Sequence, residues 1–485
     1  MIQVAKKFGA DSRIDAYYYV IAFHFFLISI IQNVFKIVLL PILIFEKEKN
    51  PSGLNLLYNN LLVIGLLISL VMTGMLMIFI NLDISQDLFP KNLEINFYKN
   101  LIYLSAPLVF LNVLSSLVIS IYNSYQKFWV LEVVFNSRIM VSFIIFYFFS
   151  DSINILSLVF GNVLGQLIVL IVGMYYIINK KIVNLNFELK LHGSVRKISK
   201  LSFLPLLSTI LVAFQPLISN YFLVQTNVIG NVSLFNYSQK IASIPTLIFS
   251  TGMLTVFVSH VANLEVKNHV LEIKNTITKA ISFLISLLIP TICFLYLIRI
   301  KIIKLIFDET NFSDSQILII SNTLIILLIS YLFLQIHSLV SRIFIVKQNT
   351  VFLFLISLVA FLIQIISVFI FIKKFHYSIY GVPFALISTN LFVSIISFAA
   401  AYIKYNSIDI RYVLINFLKS TFTSLVVFYL CSKFNNYTII RNNYFSIIGL
   451  FFLFSFGYAI ILHIIKQKDF ISLIAYIKLL KIKKR

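Results

Sequence analysis

Lys240 sits about two turns into an apolar run that opens near residue 233, with Asn236 four residues before it and Ser243 three after. At helical spacing the three share one face, a polar strip in a segment otherwise suited to hydrocarbon. A cation held there fits a diphosphate, because an anion crossing the low-dielectric centre of a bilayer needs its charge matched. The plainer reading is a lysine that snorkels to the interface. Lys36, one turn after Gln32 and Asn33, is a second cation in an apolar run and carries the same two readings. Glu132 and Arg138 are six residues apart, on different faces of one helix, so each needs an interhelical partner or an interface. Glu132 is the carboxylate that a cation- or proton-coupled carrier would use. His260, His337 and His463 fall at the ends of apolar runs without ligand spacing. Cys293 and Cys431 lie inside such runs, too far apart for a metal knuckle, and read as packing or lipid-facing residues. There is no Gly-rich phosphate loop, His-Glu-x-x-His or Gly-x-Ser-x-Gly. Enzymatic chemistry, a metal and a cofactor are therefore not expected; the available driving forces are the membrane potential or a cation gradient.

The elements that must position these residues are membrane helices. Of 485 residues, 60% are hydrophobic and 12% charged, against about a quarter charged in ordinary globular domains, and the mean hydropathy is +0.98. Apolar stretches of twenty residues or more recur, the length that crosses a bilayer as helix. A transmembrane barrel would instead show segments of about ten residues alternating in polarity. Breakers and apolar runs place thirteen spans, near 16–45, 57–80, 98–122, 129–149, 152–178, 201–224, 233–261, 277–298, 316–341, 350–372, 379–403, 411–432 and 443–465. The first is too long, and lacks the cleavage site, for a removable signal peptide.

The net charge of +22 is concentrated after apolar runs rather than spread as a nucleic-acid surface. The tail holds Lys466, Lys468, Lys478, Lys481, Lys483, Lys484 and Arg485 against Asp469 alone. Eight spans earlier, and so on the same side, Lys180, Lys181, Lys190, Arg196, Lys197 and Lys200 face only Glu188. The positive-inside rule puts both in the cytoplasm. An odd span count leaves the short basic N-terminus, with Lys6, Lys7 and Arg13, on the opposite side. That conflict predicts an absent preceding helix.

Several stretches resemble the MurJ (MviN) family of lipid II flippases, within the multidrug/oligosaccharidyl-lipid/polysaccharide exporter superfamily. VAKKFGADSRIDAYYYVIAF, with Phe8-Gly9-Ala10 and Asp15-Ala16 before aromatics, is similar to the end of that family's first helix and the start of its second. PLVFLNVLSSLVISIYNSYQKF, with Pro107, Asn123, Lys127 and Phe128, resembles its proline-led fourth helix, and GNVLGQ at 161–166 its Gly-rich sixth. GNVSLFNYSQKIASIP, Gly230 to Pro245, is similar to its Tyr-Ala-x-Arg, then Pro, signature, with Lys240 where the arginine stands. LIFDETNFSDSQ from Leu305 and SRIFIVKQNT from Ser341 fit the next two landmarks. The chain departs from the pattern in HFFLISIIQNVFK, where Leu27 to Ser29 cover the family's arginine sites and Lys36 stands one turn further on.

The resemblance implies an all-α, MATE-like exporter fold: two helical bundles around a central cavity, fourteen helices in the family and about thirteen here. The expected organisation is an N-terminal bundle over 1–178 lacking its first helix, a basic cytoplasmic loop at 179–200, a second bundle over 201–403, two appended helices at 404–465 and a basic cytoplasmic tail at 466–485. It implies a flippase moving an undecaprenyl-diphosphate-linked saccharide across the bacterial cytoplasmic membrane by alternating access, with Lys240, Lys36, Asn236, Ser243 and Asn123 as substrate contacts. The missing arginines keep an O-antigen, capsule or exopolysaccharide unit as an alternative to the peptidoglycan precursor. A cation-coupled drug exporter using Glu132 and a truncated, inactive member are further alternatives. Expected partners are the lipid-linked saccharide, membrane lipids and the glycan polymerase or glycosyltransferase machinery around a monomer, with no nucleic acid.

Overall fold

The structure is a computed structural model that describes residues 2–49, 53–82, 89, 95–125, 128–180, 182–183, 192–266, 269–307, 312–347, 349–437 and 443–465. Residues 184–191 of the basic loop and the basic tail 466–485 lie outside the described residues. The described residues form helices and connecting turns, with no strand, as expected where hydrocarbon leaves backbone groups no partner but their own segment.

In chain order the helices are α1 (Ile2–Phe8), α2 (Ser12–Val34), a π-helical turn (Phe35–Leu39), α3 (Leu40–Lys49), α4 (Leu54–Asn81), α5 (Ile95–Ser105), α6 (Pro107–Ser124), α7 (Phe128–Ile153), α8 (Leu156–Asn179) and α9 (Gly193–Val224). Then come α10 (Asn231–Val266), α11 (Val270–Phe307), α12 (Asp314–Val346), α13 (Thr350–Phe369) with a π-helical end (Ile370–Lys374), α14 (Gly381–Tyr405), α15 (Ile410–Tyr437) and α16 (Asn443–Ile464). Each of the thirteen segments read from the sequence is helical. Among the described residues, eleven helical segments are long and apolar enough to cross a membrane.

Local chemistry sets several ends. The Asp11 carboxylate accepts the Ile14 amide at 2.9 Å and starts α2. Ser313 and Gln316 form a reciprocal capping box at α12, and Asn349 caps α13. Pro107 opens α6, where its missing N–H costs nothing, so the span read at 98–122 is two helices meeting at that proline. α9 begins at Gly193, which puts Arg196, Lys197 and Lys200 on its first turns, ahead of the apolar stretch.

The chain divides into two compact units, residues 10–233 and residues 1–9 with 234–485. The sequence-based division puts 201–224 in the second bundle; α9 groups with residues 10–233, where it runs along α2. In that unit α4 and α8 pack on α6, and α7 lies against α8. Its core holds Leu39, Leu57, Tyr58, Leu117, Ile121 and Tyr122. In the other unit α12 packs between α11 and α14, α13 lies on α14, and α15 and α16 pack on α11. Ile281, Ile285, Leu339, Val340 and Phe344 form its main core. Cys293 and Cys431 are free thiols in a smaller cluster with Ile298 and Phe454, a packing role.

Candidate functional site

α10 carries Lys240, and its start is held from a distance in sequence. Gly230 turns the chain into the helix with φ of 93°, and a Cβ there would stand 3.0 Å from the Ala10 carbonyl oxygen, so glycine is required. The Gly230 and Ser233 amides donate to the two oxygens of Asp15 at 2.7 and 2.8 Å. A carboxylate at this position satisfies N–H groups that a buried helix start leaves orphaned, and it complements the helix dipole. Asp15 is 5% exposed, a buried carboxylate that the sequence offered only as part of the family motif, with no role assigned. The glycine at 230 directly before an apolar run was the signal in the sequence for a helix start whose amides need an acceptor.

Beyond this cap α10 has two faces. On one, the Tyr237 hydroxyl donates to the Gly9 carbonyl at 2.9 Å, and its ring lies 5.9 Å, centroid to centroid, from each of Phe307 and Phe312. Ser238 Oγ donates to the carbonyls of Leu234 and Ile320 at 2.8 and 3.2 Å. On the other face Lys240, Ile244 and Leu247 are exposed, while Asn236 and Ser243 are half-buried. Ser243 Oγ donates to the Lys240 carbonyl at 2.7 Å, so its proton is committed to the backbone. Asn236, Lys240 and Ser243 lie along one face of α10, as the sequence spacing requires. Lys240 lies roughly 13 Å along the axis from the helix start, at 1.5 Å per residue, farther than a lysine side chain reaches by itself.

Lys36, Glu132, Asn123 and Arg138 belong to the unit of residues 10–233. Lys36 falls in the π-helical turn between α2 and α3, a geometry that recurs at functional sites; its side chain lies outside the described residues, as does that of Glu132 in α7. Asn123 is half-buried in the last turn of α6. The carbonyl of the next residue, Ser124, accepts from Lys47 Nζ at 3.2 Å, and the same ammonium stands 3.9 Å over the Tyr125 ring. Lys47 is thus a cation at this end of α6 that the sequence reading passed over. Arg138 finds an interhelical partner: it donates to Gln166 Oε1 of α8 at 3.4 Å, and Gln166 Nε2 donates to Ser115 Oγ of α6 at 2.5 Å. On the same helix Asn162 donates to the Tyr17 hydroxyl at 2.9 Å. In the other unit His337 shares a 2.7 Å hydrogen bond with Ser397 of α14.

Comparison with known proteins adds the family. The model of the family described as lipid II flippase MurJ matches residues 4–453. Comparison with curated protein sequences gives no match. Among solved structures, a lipid II flippase MurJ in an inward closed conformation is similar at a TM-score of 0.80 and 21% identity, covering 96% of this chain and 95% of that one. An inward-facing multidrug resistance MATE family transporter of the MOP superfamily is similar at 0.73 and 12% identity, covering 84% of this chain and 92% of its own. At these identities the structures speak to the fold, which is that of the MOP exporters. The family match spans nearly the whole chain, from α1 into α16, and takes in Asp15, Gly230 and Lys240: this multi-pass membrane protein belongs to the lipid II flippase MurJ family.

Proposed function

We propose that the chain translocates a saccharide carried on a polyprenyl diphosphate across the bacterial cytoplasmic membrane by alternating access, with the basic tail on the cytoplasmic side. The observation that supports this reading is Lys240, a cation on the exposed face of the long, largely apolar helix α10, in a chain of the lipid II flippase MurJ family. Ionisable side chains inside spans are costly to keep and mark substrate or ion pathways. The ammonium neutralises part of the diphosphate charge, and Asn236 beside it offers donors and an acceptor to the first sugar. Energy for net movement comes from the membrane potential or a cation gradient.

A second reading replaces the peptidoglycan precursor by a surface-polysaccharide repeat unit. It is favoured by the apolar run at Leu27 to Ser29 and by His24, which is fully buried and bonded through Nδ1 to the Val20 carbonyl at 2.9 Å. Complementation separates the two. Wild type is expected to rescue a strain depleted of its lipid II flippase. At equal expression Lys240→Ala is expected to fail and Lys240→Arg to succeed. Full rescue by Lys240→Ala would overturn the role of Lys240, and rescue only of a strain lacking a polysaccharide-unit flippase would establish the second substrate.

A further inference from the structure

Where α14 ends and α15 begins, four residues turn the chain. Asn406 adopts a left-handed conformation, φ of 45°, and Ile408 is fully buried. Ser407 Oγ donates to the Ala401 carbonyl at 3.0 Å, and the Asp409 amide donates to Thr278 Oγ1 of α11 at 3.0 Å. From this fixed turn the two helices pack on different neighbours, α14 on α12 and α13, α15 on α11 and α16. Between them is a groove of about 660 Å³ lined by Lys274 of α11, Asn406 and Asp409 of the turn, and Arg411, Leu414 and Leu418 of α15, among others.

Three properties of the groove define what it can hold. Its charge is cationic: Lys274 Nζ donates to the uncharged Asn406 Oδ1 at 2.9 Å, and among the described residues no ion pair involves Lys274 or Arg411. The one carboxylate, Asp409, accepts the Tyr412 amide at 3.1 Å and caps α15. Its wall is apolar and open: Leu414 and Leu418, one helical turn apart, are 55% and 66% exposed. Its place is the end of two membrane helices, six spans from the basic loop 179–200 and hence on the cytoplasmic side by the positive-inside count. Cations at a helix end above an apolar wall match a phosphodiester head above an acyl chain. An inorganic anion would gain nothing from the wall, and a zwitterionic lipid would bring its own cation to the two already there.

We infer that this groove is a binding site for an anionic phospholipid of the inner leaflet, its phosphate on Lys274 and Arg411 and an acyl chain along Leu414 and Leu418. Basic pockets between membrane helices on this side are suited to such headgroups. The inference does not depend on which saccharide is carried.

Native mass spectrometry of the full chain in neutral detergent tests it, titrating phosphatidylglycerol or phosphatidylcholine of the same acyl chains and following the first bound lipid. Wild type is expected to prefer phosphatidylglycerol. Lys274→Ala with Arg411→Ala is expected to weaken phosphatidylglycerol about thirtyfold and to leave phosphatidylcholine unchanged. Leu418→Trp, which fills the groove and keeps both charges, is expected to weaken both lipids. Neutralising Lys483, Lys484 and Arg485 in the tail is expected to change nothing. Arg411→Gln with Leu418→Trp decides the matter if the double charge variant does not fold. A retained preference in the charge variants, its loss in the tail variant instead, or displacement of the lipid by millimolar inorganic phosphate alone would overturn the assignment.

Discussion

In the unit of residues 10–233, α7 and α8 approach so closely that a Cβ on Gly165 would meet the Arg138 carbonyl oxygen at 2.7 Å, and one on Gly161 would meet that of Ser142 at 2.9 Å. The same contact carries the polar chain from Arg138 through Gln166 to Ser115. In the unit of α10 to α16, α11, α12 and α14 meet through large side chains instead. Phe344 is fully buried, stacked 3.9 Å from Phe352 and edge-on to Tyr405 at 5.5 Å, beside Leu339 and Val340. Lipid tails are as apolar as leucine, so burial of apolar surface drives helix association weakly in a bilayer. What remains is close fit and hydrogen bonding. The α7–α8 contact obtains the fit by removing side chains, the contacts around Phe344 of α12 by interlocking them.

The comparison fails if substitutions in the two units do not lose stability by these different routes. Phe344→Ala should cost most, about 4 kcal/mol, since it empties a stacked site; reversible unfolding in mixed micelles measures it, and a loss under a third of that would mean the α12 contact tolerates collapse. Asp15→Ala should follow at about 3 kcal/mol, because two helix-start amides lose their acceptor. Asp15→Asn, which keeps one acceptor oxygen, should fall between it and wild type in the same assay. Gly165→Ala should cost about 2 kcal/mol through overpacking against backbone that cannot move aside. Gly74→Ala, where a Cβ would meet nothing within 4 Å, is the matched control and should leave the melting temperature in place; equal effects of the two would show that glycine spacing is not what holds α7 to α8. Gln166→Leu should be smallest, below about 1 kcal/mol, the range of single interhelical hydrogen bonds in membranes.

Sequence alone determined the helical class, the thirteen helical segments and the strip joining Asn236 to Lys240. These follow from local rules: hydrocarbon forbids unpaired backbone, and a fixed turn of helix places i and i+4 on one face. The family was also legible, because the order and spacing of GADSRIDAYYYV, GNVLGQ and GNVSLFNYSQKIASIP survive although each is weak alone. Sequence could not show that Asp15 receives the Gly230 and Ser233 amides, 215 and 218 residues away, since an acceptor's partner depends on which helix ends meet in space. Nor could it show that Ser243 is committed to the Lys240 carbonyl, that Arg138 meets Gln166, or that Lys274 shares a groove with Arg411. A polar side chain has several partners within reach in one dimension. Which one it takes is decided only when packing brings two helices to a given distance and rotation, and that choice belongs to the tertiary structure.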